Sequence, residues 1–510
     1  MTLLSTLARM EAVSAGRAEP LATVRHRHLT DRPLVLVPLT TAGEAGAPLG
    51  AMLGTDAEEP LLLTVAQPRD RDLRFRFLAE LADAVLPHLE SAQDAVEPVS
   101  RRGGEEAELC TDAPQLLVPN SGGIAFVRLL GRSMRFRRTA EDDPEAPYPA
   151  PARVPLLGRW LTHYAERSRV PGSALLLAMT DVLTRHWATG QSPLEDQHLG
   201  ALLAWLGHGR DGGRGPGGEP GGAARAALRA EAARDGDGLL LTPPAGPATD
   251  PAFDNKRLAP AVARYDAGVH GADAEIRNLL AGQLRPTWDA MWRALALLRE
   301  LPEGERAAAR WEGDRWSYTG HRDRLRAGEP PQPRRDDAVT AARKLAARER
   351  DHARLAAQEA LDDPLVMAAR RLAGEAFTGE VVAVEPAYSE GRRPMPRPLV
   401  TLRTGDEPQL AVGTKVYRAM PDGRAQPGEC AALPGPGLVT VRLTGGMGRS
   451  REPAPGSVPA EGESVCWTLF EHSPRGGPDL PDPEDTPWTH GGPPGSLPEA
   501  PDPVTGEDLL

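Results

Sequence analysis

The chain has few cysteines and lacks the residue spacings that mark common catalytic and metal-binding motifs. Its three cysteines lie far apart, so they form no Cys-x-x-Cys metal pair, and their odd number gives no disulfide framework. No Gly-Lys-Ser/Thr phosphate loop, Gly-x-Ser-x-Gly elbow or His-Glu-x-x-His helix is present. We therefore expect no catalytic residues, no metal site and no cofactor.

Long apolar runs are absent as well. No run approaches the ~18 apolar residues that a membrane helix needs. The first residues, MTLLSTLARMEAVSAGRAEP, lack the basic start and long apolar core of a signal peptide and predict a short amphipathic helix. We expect a cytoplasmic protein without membrane contact. Abundant Ala, Arg, Gly and Pro beside few Lys are typical of a bacterial genome of high GC content.

Acidic charge is concentrated at one end of the chain. Of the net charge of -12, residues 471–510 carry -8, which leaves about -4 for the rest. This nearly balanced body neither indicates nor excludes a nucleic-acid partner.

The length of 510 residues favours several domains, and changes in composition and period suggest their boundaries. The predicted fold class is multidomain α+β, with an N-terminal α/β unit, central helical domains, a small antiparallel C-terminal β-barrel and a disordered acidic tail. The predicted segments are an α/β or α+β domain (1–140), a linker (141–155), a helical block (156–208), a Gly/Pro-rich linker (209–250), a helical domain with a long charged helix (251–375), the barrel (376–470) and the tail (471–510).

Within these segments, apolar periodicity and turn residues predict individual elements. Short apolar runs at 34–37 and 61–65 predict buried strands, and residues 77–89 follow helical spacing. The runs at 116–118 and 124–130 predict a strand pair, because the intervening Asn-Ser-Gly-Gly suits a turn. In the helical block, Pro171 predicts a helix start for residues 171–187, and Ser192 predicts an N-cap.

Two short stretches alternate arginine with phenylalanine. They are RDRDLRFRF at 69–77 and RSMRFRR at 132–138. If extended, each places arginines on one face and rings on the other. The functional interpretation is a basic surface for phosphates, and the structural one is an edge strand with a solvated arginine face. The candidate nucleic-acid-binding residues here are Arg74, Arg76, Arg135, Arg137 and Arg138.

A third stretch, WEGDRWSYTGHRDRLR at 311–326, mixes aromatic rings with arginines. Rings and guanidinium groups together are what single-stranded nucleic acid needs, although tryptophan also anchors helical cores. The candidate residues in this stretch are Trp311, Arg315, Trp316, Tyr318, Arg322 and Arg324.

Two weaker patterns suggest metal chemistry. His26 and His28 share a face if they lie on a strand, where they could bind zinc or copper or form a solvated strand end. Asp56, Glu58 and Glu59 precede the strand at 61–65 and are the acids of a nuclease alternative, although no lysine follows them on that strand.

The C-terminal half resembles a known arrangement. A helical run at 335–372 precedes the strands at 379–443, which include a GTKVYR segment at 413–418. This order resembles the stalk and β-barrel accessory region of Upf1-like superfamily 1 helicases, over about a fifth of the chain and without the motor domains. In that family the barrel contacts nucleic acid and regulates the motor. The resemblance implies an accessory protein that works beside a separate motor.

Together these patterns predict a non-enzymatic cytoplasmic accessory or adaptor protein that binds nucleic acid or a nucleic-acid motor. The expected partners are single-stranded nucleic acid and a separate helicase or ATPase. The alternatives are a protein-interaction scaffold, whose tryptophan-rich helices and acidic tail recruit partners, and a metal-dependent nuclease-like enzyme in the N-terminal unit.

Overall fold

The structure is a computed structural model that describes residues 3–100, 106–207, 222–331, 338–390, 394–474 and 480. The helices are α1 Leu3–Ala15, α2 Arg71–Leu89, α3 Ser121–Met134, α4 Val154–Arg167, α5 Met179–His186, α6 Leu199–Gly207, α7 Gly222–Ala232, α8 Pro251–Phe253, α9 Ala259–Asp266, α10 Ala272–Arg299, α11 Ala307–Arg326, α12 Ala338–Asp362 and α13 Pro364–Leu372. The strands are β1 Glu19–Pro20, β2 Leu34–Thr41, β3 Glu44–Gly54, β4 Leu61–Thr64, β5 Val96–Ser100, β6 Glu106–Cys110, β7 Leu116–Val118, β8 Leu176–Ala178, β9 Trp187–Ala188, β10 Ala376–Glu385, β11 Leu399–Thr404, β12 Lys415–Ala419, β13 Ala425–Gly435, β14 Leu438–Leu443 and β15 Ser464–Thr468.

A mixed five-stranded sheet organises the N-terminal part, in the order β4-β3-β2-β7-β8. Strands β2, β3 and β4 pair antiparallel, whereas β7 pairs parallel with both β2 and β8. The apolar runs at 34–37 and 61–65 form β2 and β4, as predicted. Gly50 on β3 allows close pairing, because a Cβ atom there would lie 2.3 Å from the carbonyl oxygen of Leu63.

One hydrophobic core joins segments that the sequence divides. A continuous cluster of buried side chains runs from Leu29 on the sheet side to Tyr318 on α11, with Trp160 and Trp288 fully buried between them. The predicted boundaries near residues 140, 156 and 251 therefore do not separate hydrophobic cores. Residues 338–474 lie outside this cluster, and the barrel has a core of its own.

Part of the predicted Gly/Pro-rich linker is ordered against this body. Helix α7 packs Ala223 and Ala227 against Trp205 of α6. Farther along, the Thr40 amide donates to the carbonyl of Pro247, and the Thr249 amide donates back to the carbonyl of Thr40. Residues 208–221 lie outside the described ranges.

Two local predictions are wrong. Residues 124–130 belong to helix α3 rather than to a strand, because Asn120 caps the helix: its side chain accepts from the Gly123 amide at 3.2 Å. The predicted helix at 171–187 divides into strand β8 and helix α5. Both errors involve short apolar runs, whose state depends on the neighbours that cover them.

The C-terminal part follows the predicted order. Helix α12 is the long charged helix, and α13 begins after Asp363, whose carboxylate accepts from the Leu365 amide at 2.9 Å. The strands close into an antiparallel barrel in the order β10-β11-β14-β13-β12-β15, around Phe377 and Trp467. The predicted acidic tail lies outside the described residues from 475 onward, apart from residue 480. Within the described ranges, no helix has both the length and the apolarity to cross a membrane.

Candidate functional site

Neither arginine–phenylalanine stretch forms a strand, so the extended arrangement considered from the sequence is wrong for both. Residues 71–77 form the start of α2, where Asp70 is the N-cap and accepts from the Leu73 amide at 2.9 Å. Residues 132–134 form the last turn of α3. A helix distributes alternating residues around its axis, so Phe77 faces the core while Arg76 is exposed.

Tertiary packing nevertheless brings the two stretches together. The guanidinium carbon of Arg137 lies 6.0 Å from the ring centre of Phe75, and that of Arg71 lies 3.6 Å from the ring centre of Tyr148. Arg74 and Phe75 also line a small groove with Leu130 and Ser133 of α3. We call Arg71, Arg74, Phe75, Arg137 and Tyr148 the arginine–ring surface.

The other candidate arginines in these stretches have different surroundings. Arg135 is buried, with its guanidinium 4.6 Å from the ring centre of the exposed Phe136. Arg138 is exposed and pairs with Asp143 at 3.2 Å. The structure thus places Arg74 and Arg137 on one face, together with Arg71, which the sequence analysis did not select.

The stretch at 311–326 lies in α11, and most of its candidate residues bind the protein itself. Trp311 is buried and donates to Asp112 at 2.8 Å, and Tyr318 is buried and donates to the carbonyl of Leu89 at 2.7 Å. Their rings hold α11 against the body, which is the structural alternative for this stretch.

The arginines of the same helix extend this anchoring. Arg315 donates to the carbonyl of Cys110 and pairs with Glu97, and buried Arg322 donates to the carbonyl of Gln93. Trp316 and Arg324 remain partly exposed. Among the candidate residues of this stretch, these two and Arg315 keep a partly accessible side chain.

The segment 25–28 (RHRH) is mostly buried rather than a solvated strand end, and its two histidines lie near different carboxylates. Arg25 and His28 bond to the two carboxylate oxygens of Glu303 at 2.6 and 3.0 Å. His26 is buried, with Nε2 3.4 Å from Asp363. Sequence reasoning missed this network because its acids lie more than 270 residues away.

Glu359 of α12 is the centre of the densest part of this network. It accepts from Arg27 at 3.2 Å and lies 3.7 Å from Arg185. Burial acts to raise the pKa of Glu359, but these two guanidinium groups hold it below its usual value. Burial, followed by repulsion from Arg185, lowers the pKa of Arg27 to about 10.

A buried histidine borders the same network. His186 donates through Nδ1 to the carbonyl of Val182 at 2.7 Å and accepts at Nε2 from the His26 amide at 3.3 Å. Both ring nitrogens are therefore used by the neutral form, and burial lowers the pKa of His186 to about 4.

The acids of the nuclease alternative lie at an exposed turn between β3 and β4. There the Glu58 amide donates to Asp56 at 2.9 Å. Among the residues that the structure describes, no group of three or more His, Cys, Asp or Glu side chains is arranged to hold a metal ion.

Comparison with known proteins adds no relative. No protein-family model, curated protein or solved structure matches the chain. The residues and their geometry are therefore the whole basis for a functional proposal.

Proposed function

We propose that the chain is a cytoplasmic accessory protein that binds single-stranded nucleic acid through the arginine–ring surface. One observation carries this proposal: two stretches about 60 residues apart in sequence meet where Arg137 approaches the ring of Phe75. Guanidinium groups supply phosphate contacts, and exposed rings such as Tyr148 supply faces on which bases stack.

Neighbouring acids set the expected strength of binding. Asp72 lies 3.3 Å from Arg71, Asp143 pairs with Arg138, and Glu44 pairs with Arg69 at the rim. These exposed pairs are weak and exchange readily with phosphates, but they offset part of the positive charge. We therefore expect modest affinity that falls steeply with salt.

The experiment is a salt titration of the binding of a fluorescent oligothymidylate, followed by anisotropy. Single strands give a slope of about -0.7 in log K against log salt for each phosphate neutralised. The double variant R74A/R137A should therefore flatten the slope by about 1.4. The matched control Arg293→Ala, an exposed arginine on α10, should leave it unchanged. Absence of binding at low salt, or equal slopes in all three proteins, contradicts the proposal.

A ring variant separates stacking from charge. Tyr148→Ala should weaken oligothymidylate binding by about 1–3 kcal/mol for the loss of one stacked base while keeping most of the salt slope. If affinity is unchanged, the rings do not take part and only a basic patch remains.

The expected partner is a separate helicase or ATPase, as the resemblance of the stalk and barrel implies. Three free thiols, Cys110, Cys430 and Cys466, fit the reducing cytoplasm in which such a motor works. Stimulation or inhibition of a motor from the same genome by the purified chain tests this part of the proposal.

A protein-interaction scaffold is the second candidate, and helix α1 favours it. Leu3, Leu7, Met10 and Val13 follow helical spacing and are exposed, whereas the inner face carries Ala12 and Arg9. The tryptophans give this function less support, since Trp160, Trp288, Trp311 and Trp467 are buried. A complex with a protein partner that survives nuclease treatment, is lost in Leu7→Glu and persists in Arg137→Ala would favour the scaffold.

A further inference from the structure

A cleft of about 410 Å³ lies between α5 and α12, next to the edge strand β8. Its floor includes Leu176–Ala178 of β8, and its far wall includes His352, Leu355 and Glu359 of α12. The volume falls in the range of small-molecule sites, roughly 300–1,000 Å³. This cleft shares no residue with the arginine–ring surface.

Charged side chains of both signs line the cleft. The lining includes Arg27, Arg169, Arg185 and Arg370 and the acids Asp181 and Glu359. Arg169 and Arg370 pair with acids outside the lining, Glu166 and Glu375. Two of these arginines, Arg27 and Arg185, share the one carboxylate of Glu359, at 3.2 and 3.7 Å. One carboxylate balances one guanidinium group, so this part of the lining keeps an excess of positive charge that an anion can neutralise.

The exposures of the two arginines assign them different roles. Arg27 is buried and fixed by Glu359, whereas about half of the Arg185 side chain remains exposed. Arg185 therefore has donors that a ligand can reach, and Glu359 holds its guanidinium end near the cleft.

The rest of the lining is apolar. Leu177 and Val182 on the sheet side and Leu355 on α12 offer a wall for carbon groups. Helix α5 starts directly after β8, so the cleft lies beside the carboxyl end of a parallel strand, which is a common position for ligands in α/β sheets. A cleft with charged side chains on one side and apolar side chains on the other suits an amphipathic small molecule better than a bare ion.

We propose that this cleft binds a small organic phosphate, with the phosphate against Arg185 and the organic group against the wall formed by Leu177, Val182 and Leu355. The bound molecule bridges the body of the protein and the stalk helix α12, which carries the chain to the barrel. The site is independent of the nucleic-acid proposal, since it uses different residues.

The experiment measures binding to the full chain by isothermal titration calorimetry. The probes are adenosine monophosphate, glucose 6-phosphate, phenyl phosphate and inorganic phosphate. We expect at least one organic phosphate to bind at least tenfold more tightly than inorganic phosphate, since only the organic probes cover the apolar wall.

Variants locate the bound phosphate. Arg185→Ala should weaken the binding of the tightest probe at least tenfold, which is the effect of losing one charge-assisted contact. Arg293→Ala should leave the affinity for this probe unchanged. Arg185→Ala leaves Glu359 paired with Arg27, so the variant should fold, which circular dichroism checks.

Three results overturn the proposal: no probe binds saturably, inorganic phosphate binds as tightly as every organic probe, or Arg185→Ala binds as the parent does. Oligothymidylate binding measured on the same variants keeps the two proposals apart. Arg185→Ala should still bind oligothymidylate, and R74A/R137A should still bind the organic phosphate.

Discussion

Replacing Asp363 by alanine should open the junction between the N-terminal segment and the stalk. The buried carboxylate accepts from the Thr23 amide at 2.6 Å, the Val24 amide at 3.3 Å and the Leu365 amide at 2.9 Å. It also accepts from the Thr23 hydroxyl at 3.1 Å. One side chain thus caps α13 and holds a segment 340 residues away.

The expected cost follows from these contacts. Each amide left without an acceptor in a buried position costs about 1–3 kcal/mol, and loss of the helix cap is part of that sum. With three amides affected, we expect Asp363→Ala to cost about 3–5 kcal/mol. Asp363→Asn keeps one carbonyl oxygen at the cap and should cost about half as much. The control Asp351→Ala breaks only the i,i+3 pair with Arg354 and should cost less than about 1 kcal/mol.

Hydrogen exchange followed by mass spectrometry is the appropriate assay, because the expected opening is local. Peptides that cover residues 20–28 and 363–372 should exchange about 100-fold faster in Asp363→Ala, the factor that corresponds to about 3 kcal/mol. Peptides from β2 and β3 serve as internal references. Exchange within threefold of the parent in both junction peptides would refute the reasoning, since Asp363 would then hold neither element.

Two further predictions concern pH and the barrel. His186 has a folded pKa of about 4 against about 6.5 unfolded, so its contribution to stability is complete above pH 6.5 and is lost as the pH falls towards 4. This loss is about 1.4 kcal/mol per pH unit. In urea titrations at pH 7, 6 and 5, the free energy of unfolding should therefore fall less steeply with pH in His186→Gln than in the parent. An equal fall in both proteins would contradict the prediction. Phe377→Ala should cost about 3–5 kcal/mol in the barrel, whereas Arg403→Ala on the exposed side of β11 should cost less than about 0.5 kcal/mol. Limited proteolysis checks this: cleavage within residues 376–470 should be faster than in the parent for Phe377→Ala and unchanged for Arg403→Ala. Equal cleavage rates in the two variants would contradict the prediction.

Two arginines of the arginine–ring surface were among the residues that the sequence suggested, but their geometry was not predictable. The sequence pointed to Arg74 and Arg137 through their alternation with phenylalanine, yet it suggested strands where the chain forms helix α2 and the end of α3. Asp70 decides this for residues 71–77, and Asn120 does so for residues 124–130, because each caps a helix within three residues. Asn120 stands in an Asn-Ser-Gly-Gly segment that also suits a turn, so composition alone left the wrong alternative open.

The cleft beside α12 and the buried polar network gave no signal of their own in the sequence. Arg27 and Glu359 are 332 positions apart, and Arg25 and Glu303 are 278 apart. A charged residue that is paired inside the protein and one that is solvated look the same in a sequence. Burial of the RHRH segment follows only when α11 and α12 pack against it.

The sequence by itself determined the elements whose causes are local. Ser192 and Glu195 bond to each other's amides as a cap would, although α6 begins only at Leu199. Asp363 and Pro364 start α13, and alternating strands separated by turns form the barrel. Such features depend on residues within a few positions. Only the tertiary structure decided that residues 29–318 share one core, that α2 and the segment after α3 place Arg74 and Arg137 on one face, and that an arginine-lined cleft borders α12. These features depend on which distant surfaces bury one another, and periodicity within a single segment does not specify that pairing.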